Sequence, residues 1–246
     1  MRLIDAHCHF HAYREEEYGK YEKITIIAVS EDYNSSTKTF LLSKKIRNIV
    51  PFVGLHPWST NNSIMEELRL LKNLLNSTRE VAGLGEVGLD FRFSKIPKDI
   101  QLKIFEEFCR IAAERNLPLN VHSYSAWSEA LACVVKNEAP SVLFHWYTGP
   151  EPLLKEIKDN GYFISINPTA TIQEKQRKII EKASEEILLT ESDGPYVYRS
   201  MRLDSTMILQ TLEVISEIKK ISVDEASQII SHNYERYMMR RMSLVE

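Results

Sequence analysis

The chain opens with two imidazoles two residues apart, in Asp5-Ala6-His7-Cys8-His9, directly after the apolar pair Leu3-Ile4. Alternate side chains of a strand share a face, so His7 and His9 project together. Two imidazoles side by side can grip a divalent cation. The plainer reading is a pair of core or surface histidines, and the pattern alone does not choose. Further donors recur along the chain: His56 in Gly54-Leu55-His56-Pro57, Glu86 in Gly85-Glu86-Val87-Gly88-Leu89-Asp90, His122 before Ser123, His145 before Trp146, and Asp193 in Glu191-Ser192-Asp193-Gly194-Pro195. Singly, each has a structural explanation as a cap, turn or hydrogen-bonded residue.

Together they form a donor set of imidazoles and carboxylates without thiolate, which suits Zn, Mn or Mg. His7, His9, His122, His145, Glu86 and Asp193 are more than one tetrahedral ion needs. Two divalent ions sharing Glu86 as a bridge use them all, because a carboxylate can serve one ion with each oxygen. Such a pair brings the pKa of a shared water toward neutrality, and the reaction class that follows is hydrolysis of an ester or phosphodiester. Asp193 and Glu86 are then the catalytic carboxylates, with Asp193 both ligand and proton acceptor.

The elements that must position these residues are legible in the hydrophobic pattern. Short apolar runs, Leu3–Asp5, Ile24–Val29, Ile49–Leu55, Val81–Leu84, Leu117–Val121, Val142–Phe144, Tyr162–Ile166 and Ile187–Leu189, alternate with longer amphipathic segments. The helices expected are Ser36–Arg47, one through Ile64, Leu68, Leu71 and Leu75, then Lys98–Arg115, Trp127–Lys136, Ser205–Lys219 and Val223–Met239. Eight strands joined by right-handed crossovers predict an α/β fold, a single (β/α)8 TIM barrel over residues 1–246. An open doubly wound sheet is the alternative, but no Gly-x-Gly-x-x-Gly follows the first strand. In the barrel, active sites lie at the C-terminal ends of strands, where every donor named above falls.

Bulk properties set outer bounds. The net charge of −3 gives no general attraction to polyanions, so any nucleic acid must be held by metal ions or local cations. Three cysteines without Cys-x-x-Cys spacing argue against a disulfide framework and for a reducing, cytoplasmic setting. No apolar window approaches the roughly 20 residues of a membrane span. No obligate protein partner is evident.

The six blocks resemble, in order and spacing, the signatures of the TatD-type metal-dependent deoxyribonucleases, a family of amidohydrolase-like barrels. The likeness runs from Asp5 to Asn233-Tyr234-Glu235-Arg236. It implies His7, His9, Glu86, His122, His145 and Asp193 as metal ligands, Glu86 bridging, and DNA as substrate, cut as a 3′-end exonuclease. Two departures stand out: Tyr124 replaces the Arg that usually follows the His-Ser of the fifth strand, and Val197–Arg202 replaces an Asn-x-Pro segment. They bear on substrate rather than on metal chemistry. A small ester, amide, lactone or aminoacyl-tRNA ester is the enzymatic alternative, and an inert metal-binding nucleic-acid scaffold the non-enzymatic one.

Other residues carry weaker signals. His56 is expected beside the ligands rather than among them, Cys8 in the core, and His11 in a solvated loop. Phe91, Phe93, Trp146, Tyr147 and Tyr196 could stack on unpaired bases or simply pack. Arg92, Lys95, Lys98, Arg199 and Arg202 are expected to form a basic rim, Arg240-Arg241 to complement a helix dipole, and Asn233 to anchor the last helix.

Overall fold

The computed structural model describes residues 1–59 and 64–239; the Arg240-Arg241 pair lies outside them. Eight strands form one parallel sheet in sequence order: β1 (Leu3–Cys8), β2 (Ile24–Ala28), β3 (Ile49–Leu55), β4 (Gly83–Asp90), β5 (Leu119–Tyr124), β6 (Val142–Phe144), β7 (Phe163–Ile166) and β8 (Leu188–Thr190). The sheet curls so that β8 returns beside β1, where Thr190 Oγ1 donates to Ile4 O at 2.6 Å. The result is a nearly closed (β/α)8 barrel.

Among the described residues, eight α-helices lie between and after the strands: α1 (Tyr33–Lys45), α2 (Ile64–Ser77), α3 (Lys98–Arg115), α4 (Trp127–Lys136), α5 (Leu153–Asp159), α6 (Glu174–Lys182), α7 (Ile208–Lys219) and α8 (Val223–Met239). Their starts and stops follow local chemistry. Asp32 caps α1 by accepting from Ser35 N at 2.7 Å. Asn116, in the left-handed region at φ 51°, ends α3. In α3, Ile104, Phe105, Phe108 and Ile111 are buried on one face, the pattern expected of a helix laid against a sheet. Asn233 Nδ2 donates to the carbonyls of Glu185 and Leu188 at 2.7 and 2.8 Å, tying α8 to the start of β8.

Several local expectations need correction. After β1 the chain runs not into an α-helix but into two 3-10 segments, Phe10–Ala12 and Glu15–Tyr21. Their aromatic residues Phe10, Tyr13 and Tyr21 build a second small core with Cys8, Ile24 and Ile26. Helices α5 and α6 are additional. The first is only seven residues long, and α6 reads Glu-Lys-Gln-Arg-Lys-Ile-Ile-Glu-Lys, its buried face Gln176, Ile179 and Ile180 holding only two apolar residues, so neither gives a strong apolar signal. Ser205–Met207 is 3-10 rather than α, and Val197–Tyr198 and Met201–Arg202 pair as a small antiparallel ribbon. Strands β1, β4 and β5 run three to six residues further than their apolar runs, because buried polar residues continue them. No helix among the described residues is long and apolar enough to cross a membrane.

Candidate metal centre

The longer strands carry the donors into the barrel mouth. His7 lies in β1, Glu86 in β4 and His122 in β5, while His9, His56, His145 and Asp193 follow directly on β1, β3, β6 and β8. Backbone pairing sets their approach. Glu86 N donates to Ser30 O at 2.7 Å and Ser30 N to Gly85 O at 2.9 Å, drawing β4 toward the end of β2. Asp193 N donates to His7 O at 2.9 Å and His9 N to Gly194 O at 2.8 Å, so β8's extension is laced to β1. Two glycines make room. A Cβ on Gly54 would lie 2.4 Å from the Gly85 carbonyl carbon, and one on Gly88, at φ +145°, would lie 2.0 Å from His122 O.

The six donors expected to act together converge, and they divide between the two oxygens of Glu86. On one side, Glu86 Oε2 lies 3.5 Å from His7 Nε2 and 3.3 Å from His9 Nε2. Asp193 Oδ1 lies 3.4 and 3.3 Å from the same two nitrogens, which are 3.4 Å apart. Spacings of this size are the edges of a tetrahedral shell with bonds of about 2.1 Å, the length of zinc–nitrogen and zinc–oxygen bonds. On the other side, Glu86 Oε1 lies 2.8 Å from His145 Nε2 and 2.9 Å from His122 Nδ1, with 3.1 Å between the two nitrogens. These are hydrogen-bond spacings, so an ion there has to spread the three atoms slightly. Both donor sets suit a divalent cation, the first with the smaller adjustment.

The imidazoles are oriented by groups the motif pattern did not single out. Asn120 Oδ1 lies 2.8 Å from His7 Nδ1, and Asn120 Nδ2 donates to Ala6 O at 2.8 Å, which settles which end of the amide faces the ring. When neutral, His7 therefore carries its proton on Nδ1 and presents a lone pair at Nε2. Asp90 Oδ2 lies 3.3 Å from His122 Nε2 and also accepts from Trp58 Nε1 at 2.6 Å. Carboxylates of Glu31 and Glu191 stand 3.6 and 3.7 Å behind His9 Nδ1 and His145 Nδ1. Sequence parity could have found Asn120, which shares a strand face with His122; Glu31 and Glu191 follow β2 and β8 and carry no periodic signal.

His56 behaves differently. Its Nδ1 accepts from Trp58 N at 3.1 Å, so the neutral ring holds its proton on Nε2, aimed at Glu86 Oε1 3.1 Å away. Burial lowers its pKa against the pull of Glu86, which keeps it neutral. It is thus placed to donate to Glu86. His11, expected in solvent, is instead mostly buried in the Phe10–Ala12 turn, and burial lowers its pKa to about 4. Burial also opposes protonation of His9 and His122, but Asp193 and Glu86 around the first, and Asp90 and Glu86 around the second, raise them to about 10 and about 9. Glu86, buried among imidazoles, is held well below the usual carboxylate range despite its desolvation.

Above the donors opens a cavity of about 660 Å³ lined by His9, His56, Glu86, His122, His145 and Asp193 at its floor. Trp58, Phe93, Tyr124, Trp146, Tyr196 and Tyr198 form its walls. Tyr147, in contrast, is fully buried core, and Phe91 packs against that core. The expected basic rim is thinner than its sequence suggests. Arg199 reaches the cavity, joined by Lys175 from α6, and Lys95 lines an adjoining cleft. Lys98 lies over the Phe91 ring and Arg202 pairs with Glu17.

A family model described as TatD related DNase matches residues 4–239. The chain belongs to this TatD family. A metal-dependent hydrolase of Methanocaldococcus jannaschii, itself uncharacterized, is 28% identical over 253 residues, covering 98% of this chain and 99% of that one. The human deoxyribonuclease TATDN3 is 27% identical over 253 residues, with 94% of this chain and 92% of the relative covered. In fold, the TatD homologue YJJV of Escherichia coli superposes with a TM-score of 0.86 at 21% identity, over 96% of this chain and 98% of the other. As a TatD protein the chain is a metal-dependent hydrolase of ester bonds.

Proposed function

We propose that this TatD chain hydrolyses phosphodiester bonds of DNA, from 3′ ends, with two divalent ions held on either side of Glu86. The observation that carries the reading is the division of donors between the two Glu86 oxygens, His7, His9 and Asp193 on one side, His122 and His145 on the other. Its relative TATDN3 bears the name deoxyribonuclease. Zinc, manganese or magnesium ions bound there would supply an activated water and neutralise charge on the phosphoryl oxygens.

The chain's own groups do the rest. Asp193 faces the cavity beside His7 and His9 and takes the proton of the attacking water. His56 donates its Nε2 proton to Glu86 Oε1 and keeps that carboxylate turned toward the donors. Asn120 and Asp90 hold His7 and His122 as lone-pair donors, so no reorientation is needed at the moment of reaction. The chain acts as one barrel domain over residues 1–246, and its free cysteines, Cys8, Cys109 and Cys133, suit the cytoplasm.

One observation favours a smaller substrate: Tyr124 stands where the family places Arg, leaving few cations at the mouth. A single assay separates the two. Protein loaded with manganese or zinc is given a 5′-labelled single-stranded oligonucleotide and, separately, an aryl carboxylic ester. A ladder of shortened labelled products, lost in Glu86→Ala and His122→Ala, is expected. Intact DNA alongside metal-dependent cleavage of the ester would sink the nuclease reading.

A further inference from the structure

The geometry points to an aromatic shelf, Trp58–Phe93–Tyr124, that binds the unpaired bases next to the scissile phosphate and takes the place of a phosphate-gripping cation. The inference rests on the phosphodiester reading above and names what holds that substrate.

The shelf starts at the metal donors. The Trp58 ring lies 5.8 Å from that of His122, Phe93 follows edge-to-face at 6.2 Å, and Tyr124 stacks on Phe93 at 5.3 Å and 26°. All three line the cavity, yet they are 44, 60 and 40% exposed. Contiguous aromatic surface left open beside a reaction centre marks a binding face rather than packing. It suits a flat, uncharged ring system, and every base has such a face.

The shelf is also held rigidly. Asp90 Oδ1 accepts from the backbone N–H of Arg92 and of Phe93, each at 2.8 Å, while Asp90 Oδ2 takes the Trp58 Nε1 proton. Ser94 Oγ donates to Pro57 O at 2.5 Å and ties the two supporting loops together. The carboxylate that orients His122 thus fixes the shelf, so a stacked base is registered against the reacting centre.

Charge argues the same way. The cations lining the cavity, Lys175 and Arg199, each lie over a neighbouring ring, Trp127 and Tyr198, both at 5.4 Å. Two cations give only a shallow salt dependence on a single strand, about 0.7 in log–log slope per phosphate contact. With the divalent ions chelated, stacking has to supply most of the affinity.

The test measures binding without turnover, by fluorescence anisotropy in EDTA, of an end-labelled eight-residue single-stranded DNA and of the same strand made of abasic residues. The intact strand is expected to bind about tenfold tighter or more. Phe93→Ala brings it to the abasic level, Phe93→Trp preserves it, and Tyr124→Arg steepens the salt slope by about 0.7. Phe93 is largely exposed, so its truncation leaves the barrel intact. Equal binding of the two strands by the wild type, or equal weakening of both by Phe93→Ala, overturns the shelf. A protein that discriminates the strands but never cuts DNA keeps the shelf and loses the nuclease reading. One that cuts intact and abasic strands with the same KM does the reverse.

Discussion

The side-chain oxygen of Asn120 accepts the Nδ1 proton of His7 across 2.8 Å, while the other end of the same amide is held by the carbonyl of Ala6. The first residue of the donor set is thus oriented from a strand more than a hundred residues away in sequence. Partners of this kind are worth 10- to 100-fold in metal affinity. Asn120→Ala is expected to weaken the tighter divalent ion by about that factor, read by chelator competition. An unchanged affinity would show that the ring keeps its orientation by packing against His145, which stacks on it at 4.0 Å.

The two donor sets should fill in order. Atoms around Glu86 Oε2 already stand at shell-edge distances, whereas those around Oε1 are closed to 2.8–3.1 Å. Calorimetric titration should resolve one tight and one weaker ion. His122→Ala abolishes the weaker uptake and spares the tighter, and Glu86→Ala disturbs both. Loss of both ions in His122→Ala would mean that the sites form as one unit.

Acid and base act on this centre in opposite senses. Glu86 and Asp193 are held below the ordinary carboxylate range, so the stability they contribute is present above about pH 4 and lost as pH falls further. His9 and His122, raised to about 10 and about 9, contribute stability fully present below about 6.5 and lost as pH climbs through those values. Melting in chelator should therefore show a plateau with losses at both ends. Divalent ions need the imidazoles unprotonated, so their stabilising effect grows from pH 6 to 9 and their uptake releases protons. Heats of binding independent of the buffer's ionisation enthalpy would contradict this.

Gly88 tests whether backbone space positions the site. A methyl group there would meet His122 O, and the φ of +145° is unfavourable for any other residue. Gly88→Ala is expected to cost about 3 kcal/mol or more in chemical denaturation. A loss under 1 kcal/mol would mean that β4 and β5 separate easily.

Much of this protein was legible in its sequence because barrel and donors obey local rules. Apolar runs of strand length mark buried strands, and His7, His122, His145 and Asp193 fall at their ends, where side chains of one parity point into the mouth. The local code failed where burial is supplied by partners distant in the chain. Polar residues extend β1 and β4 because Asn120 satisfies His7 across the barrel and Gln101, from α3, satisfies the backbone of Asp90. The short α5 and the polar α6 carry too few apolar residues to announce themselves.

Sequence by itself determined which elements of chemistry are present: imidazoles, two carboxylates, no Cys-x-x-Cys pair, and the strands that present them. Only the tertiary structure decided which oxygen of Glu86 faces which histidines, that His56 aims Nε2 at Glu86, and that the mouth is walled by aromatic rings more than by cations. Tautomer, proximity and charge balance arise from contacts between residues far apart in the chain. No spacing along the sequence encodes them.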